Sequence, residues 1–125
     1  MVSTLDSITE EIAAECDRDT VGLWEVCAAV NRSGAEGAAR RERVLAVCSQ
    51  LLARPEIHCC QFDRAVDAFV VWSGPREDML ERIRAGYDGR AGEISLGDVV
   101  WFSTERYLNG LVKPAVKWPD PTQTI

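Results

Sequence analysis

The hydrophobic period of this chain breaks at Pro55, and that break separates a helical first half from a stretch that can be strand. Up to Ala53 the apolar residues recur three and four apart. From Ile57 onward, Ile57, Cys59 and Gln61 alternate with His58, Cys60 and Phe62, and Ala68-Phe69-Val70-Val71-Trp72 is β-branched and aromatic. Spacing of three and four puts side chains on one stripe of a helix, whereas alternation puts them on opposite faces of a strand. The chain therefore has to close a helical first half onto a β element.

Leu5, Ile8, Ile12 and Cys16 form the first stripe, with acids on the opposite face and Ser3 or Thr4 able to cap; this predicts a helix over roughly 4–17. After the polar break Asp17-Arg18-Asp19-Thr20, a second stripe of Leu23, Trp24, Cys27 and Val30 ends at Asn31-Arg32-Ser33-Gly34. Ala38 to Ala53 contains no turn residue, and Val44, Leu45, Val47, Cys48, Leu51 and Leu52 make its broad apolar face. The strands at 57–62 and 68–72, joined by Asp63-Arg64-Ala65-Val66-Asp67, read as one β-hairpin. Pro75 starts a fourth helix, about 75–87, with Met79, Leu80, Ile83 and Tyr87 inward. Ser95-Leu96-Gly97-Asp98 has capping-box spacing and predicts a fifth helix over about 96–108. The expected fold is mainly α with one small β-hairpin, an α+β arrangement of five helices in the order ααα-ββ-αα.

The chain has 125 residues, 46% hydrophobic and 27% charged, enough for one domain with a core of its own. That domain is expected over 1–110, with Pro114, Pro119 and Pro121 leaving 111–125 an extended tail. Trp118 in that tail is expected to fold back on the domain in preference to meeting another molecule. The N-terminus lacks the basic and apolar regions of a signal peptide, and no window reaches the ~18 apolar residues of a membrane helix, so the expected location is cytoplasmic with no membrane partner. Five irregularly spaced cysteines fit reduced, buried thiols.

Residues 1–25 hold seven acids (Asp6, Glu10, Glu11, Glu15, Asp17, Asp19, Glu25) against Arg18 alone, which accounts for the whole net charge of −6; the remaining residues carry 13 acids and 13 bases. Such a segment repels nucleic acid and attracts basic partners. Glu11, Glu15, Asp17 and Asp19 are accordingly the candidate partner-binding residues. The alternative is a winged-helix-like nucleic-acid-binding module, with Arg40, Arg41 and Arg43 at the start of the third helix and Arg64 at the hairpin tip. Glu36 and Glu42 interrupt that cluster and the net charge opposes phosphate binding, so nucleic acid is the lesser reading. Adjacent Cys59 and Cys60 point to opposite faces of a strand, no CxxC or HxxxH occurs, and neither glycine-rich stretch matches a phosphate loop. No catalytic, metal-binding or cofactor-binding set is assigned, and no enzyme activity or cofactor is expected. A third reading is a small subunit whose helix faces are completed by a copy of itself.

Leu51-Leu52, Phe69-Val70-Val71-Trp72-Ser73, Glu81-Arg82-Ile83 and Ser95-Leu96-Gly97-Asp98-Val99-Val100-Trp101-Phe102-Ser103-Thr104 together resemble a pattern of small uncharacterised bacterial proteins, mainly from actinomycetes. Pro55-Glu56 stands where that pattern has a small glycine. Some of those proteins look like immunity factors of bacterial toxin systems. The resemblance implies a cytosolic, non-enzymatic inhibitor that binds one toxin, and it carries over no catalytic residue.

Overall fold

A computed structural model describes residues 4–119. Five helices and five strands follow in the order α1 (Thr4–Cys16), β1 (Val21–Gly22), α2 (Leu23–Arg32), α3 (Gly37–Leu52), β2 (Ile57–Asp63), β3 (Ala68–Val71), α4 (Arg76–Gly89), β4 (Trp101–Thr104), α5 (Glu105–Gly110) and β5 (Ala115–Lys117). The strands form one sheet ordered β1-β4-β2-β3-β5, antiparallel except for the outermost β3–β5 pair. The architecture is mixed α/β.

The four long helices stand where the apolar stripes place them. α3 packs against α1, α2, α4 and β2, and its Val44, Val47, Cys48 and Leu51 are wholly enclosed. Ile57 and Cys59 of β2, Phe102 of β4 and Trp72 join these helices in the main core. Cys60, one residue on, belongs instead to a smaller cluster on the other side of the sheet with Val71 and Leu108, against which Phe69, Trp101, Leu111 and Val116 pack. Cys59 and Cys60 therefore do face opposite ways.

The layout departs from ααα-ββ-αα in four places, the last of them β1. First, the predicted hairpin is the middle of a five-stranded sheet: β2 pairs with β3 on one side and with β4 on the other, Cys59 opposite Phe102 and Cys60 opposite Trp101. A free two-stranded wing beside a third helix is thus absent, and the winged-helix-like arrangement does not hold. Second, the segment expected as a helix over 96–108 is a turn, a strand and one short helix. The Asp98 carboxylate does accept the Ser95 N–H at 2.9 Å, the half of a capping box that the spacing foretold. No helix follows, because Gly97 and Val99 take left-handed φ angles of +84° and +69°. The cap that starts α5 is Thr104, whose Oγ1 accepts the Tyr107 N–H at 3.1 Å. Third, regular structure does not stop at Gly110: residues 115–117 form β5, with Ala115 opposite Ala68 and Lys117 opposite Val70. The part of the expected tail beyond residue 119 lies outside the described residues. β1, missed in sequence, pairs Val21 with Phe102 and delivers the chain directly into α2.

Candidate protein-binding groove

α1 and α2 both pack against α3, and between them lies a groove of about 360 Å³ lined by Glu11, Ile12, Glu15, Arg18, Val21, Trp24, Glu25, Ala28 and Arg32. Two of its lining residues are apolar and buried, Ile12 in the stripe of α1 and Val21 in β1. The rim is charged because Glu11 and Glu15, four residues apart on α1, stack on one flank of that helix beside its buried stripe. Trp24 stands in this groove with 45% of its surface exposed.

That exposure corrects the sequence reading, which placed Trp24 in the buried stripe. The buried stripe of α2 is Leu23, Val26, Cys27 and Val30, spaced three, four and seven from its start. Trp24 is one residue off it, about 100° around the helix. That offset was the legible signal, and hydrophobicity alone masked it.

The acids are not bare. Glu11 Oε1 lies 3.3 Å from Arg32 Nη2 and Glu15 Oε2 lies 3.1 Å from Arg18 Nη2, both pairs well exposed. Glu25 accepts the Gly22 N–H at 2.9 Å and so steadies the start of α2. Exposed pairs of this kind contribute little stability and exchange partners readily, so a basic side chain from outside can replace either arginine at small cost.

Asp17 and Asp19 are elsewhere. Asp17 Oδ1 accepts the Thr104 hydroxyl at 2.9 Å while its Oδ2 faces Arg106 at 3.5 Å; Asp19 Oδ1 accepts the Thr20 N–H at 2.7 Å and the Tyr107 hydroxyl at 3.4 Å. With Ser103 Oγ donating to the Cys16 carbonyl at 3.2 Å, these contacts tie the end of α1 to β4 and α5. Of the four acids nominated from sequence, the fold brings Glu11 and Glu15 together in the groove and uses the other two as struts.

The four arginines of the alternative reading are not assembled into a free basic surface. Arg40 donates to Asn31 Oδ1 (2.6 Å), Tyr87 Oη (3.0 Å) and the Gly92 carbonyl (3.3 Å). Arg41 makes two parallel 2.9 Å bonds to Asp88 and holds that carboxyl below its ordinary pKa. Arg43 donates to Ser33 Oγ at 2.9 Å. Arg64 lies on the exposed β2–β3 turn.

All five cysteines are free and buried, and burial first of all pushes the thiols of Cys16, Cys59 and Cys60 up to about 12. A thiol so raised is a poor nucleophile at neutral pH. Among the described residues no three His, Cys, Asp or Glu side chains cluster closely enough to hold a metal ion, and no helix is long and apolar enough to cross a membrane. Comparison with protein-family models, with curated proteins and with solved structures gave no match to this chain.

Proposed function

We propose that this chain is a non-enzymatic binding protein whose α1–α2 groove takes a protein partner with a basic surface. The observation that carries the reading is Trp24, half exposed in a groove rimmed by Glu11, Glu15 and Glu25. Tryptophan is among the residues most enriched at binding hot spots, since it offers a large apolar face and one donor at little conformational cost. Acids around it speed the encounter with a basic partner and orient it. An immunity protein that neutralises a toxin, as the resemblance implies, is one member of this class, and a cytosolic setting suits it.

The test uses the partner recovered by affinity capture from the native host and two variants. Trp24→Ala should weaken binding by tenfold or more, chiefly through faster dissociation, equivalent to about 1.4 kcal/mol or more. Glu11→Lys with Glu15→Lys should instead slow association and flatten its dependence on ionic strength. Both variants should keep the wild-type circular dichroism spectrum, since each altered side chain is substantially exposed. Unchanged affinity in Trp24→Ala together with unchanged on-rates in the double variant would remove the groove as the binding site.

A further inference from the structure

His58, the one histidine of the chain, stands on β2 directly under the C-terminal segment. Its imidazole meets the indole of Trp118 edge to face, with ring centroids 5.0 Å apart at 87°, and both line a cleft with Val71, Trp72, Arg76 and Met79. His58 Nε2 is shut off from solvent and has no hydrogen-bond partner; the nearest acid, Glu105 Oε1 in the first turn of α5, is 3.6 Å away. The covering segment is lightly held. β5 is a three-residue edge strand paired on one side only, Ala115 and Lys117 are exposed, and Val116 is its one half-buried contact. Segments with so few buried contacts open with the smallest free energies in a protein.

We propose that His58 is a pH-sensitive latch for this segment: Trp118 and β5 close over the neutral imidazole, and protonation releases them, opening the cleft beneath.

A protonated imidazole brings a second donor and a full charge into a largely buried place where the acceptor facing Nε2, Glu105 Oε1, stands 3.6 Å away on a solvent-exposed side chain. The charged groups facing it are Glu105 from α5, which favours the cation, and Arg76 from α4, which opposes it and is fixed close by through a 2.7 Å bond to the Ile57 carbonyl. Burial outweighs Glu105, and the imidazole is held below its ordinary value of 6.5. The sign follows. The closed state binds the proton less readily than the open state, so closure is complete above about pH 6.5 and weakens as pH falls through the closed-state pKa. Each unit separating the two pKa values is a tenfold rise in the opening constant once pH lies below both.

With a single histidine, the Cε1–H resonance reports His58 directly. In the wild type it should titrate below 6.5; in Trp118→Ala it should move up toward that value, and in Glu105→Gln further down. Amide exchange of residues 115–117, corrected for intrinsic rates, should show a severalfold larger opening constant at pH 5.0 than at pH 7.5. Glu105→Gln should enlarge the ratio and His58→Gln should abolish it. A titration unmoved by Trp118→Ala, or a pH dependence of exchange that persists in His58→Gln, would overturn the latch.

Discussion

Leu51 carries the clearest residue-scale consequence of the fold. It lies on the face of α3 that was read as the widest apolar surface in the sequence, and it has no exposed area. Truncation there removes three carbons where neighbours from several elements cannot all collapse, so Leu51→Ala should cost about 2–5 kcal/mol in chemical denaturation. A loss under about 0.5 kcal/mol would show that α3 is not central. The reason such residues were legible is that complete burial imposes the helical period strictly: Val44, Leu45, Val47, Cys48, Leu51 and Leu52 are all buried, as their spacing requires. Trp24 was not legible by the same rule, because its identity says core while its position, one residue off the stripe, says surface. The candidate site was therefore half visible, through Glu11 and Glu15. Asp17 and Asp19 shared their composition but have partners, Thr104 and Tyr107, more than eighty residues away.

At the scale of elements, long segments followed local pattern and short ones did not. β1 and β5 have two and three residues, too few for any alternation to register. The 96–108 segment was ambiguous in a different way, since Val99, Val100, Phe102 and Tyr107 suit a helix stripe and a strand about equally. Pairing of β4 with β2 and β1, from residues more than forty positions away, decides the matter. The turn before β4 has its own requirement. A Cβ at Gly86 of α4 would lie 2.7 Å from Val99 Cγ1 and 2.9 Å from Cγ2, and Val99 is a stiff β-branched residue already at a φ of +69°. It has no easy way to give. Gly86→Ala should therefore destabilise by about 1–3 kcal/mol in denaturant unfolding, even though alanine is the better helix former. Adding Val99→Ala should recover part of that loss, since the clash and the side chain causing it disappear together. A neutral or stabilising Gly86→Ala would mean that the turn does not pack on α4 as described.

For the whole molecule, folding redistributes a charge pattern that looks segregated along the chain. Of the seven acids in the first twenty-five residues, Glu10, Glu11 and Asp17 pair with Arg54, Arg32 and Arg106, all from later in the chain, and Glu15 pairs with Arg18. The net charge stays at −6, and of the arginines in the nucleic-acid reading Arg41 is drawn into the bond with Asp88. Phosphate binding by the start of α3 would have to detach Arg40 from Tyr87, Arg41 from Asp88 and Arg43 from Ser33, against an unfavourable overall field. Duplex DNA should accordingly bind more weakly than the micromolar range of ordinary non-specific binders at physiological salt, measured by fluorescence anisotropy. Submicromolar binding that disappears in Arg40→Ala with Arg43→Ala would reverse the ranking of the two readings. It would require those arginines to leave their partners on binding, which the same variants would report as a loss of affinity without a matching loss of fold.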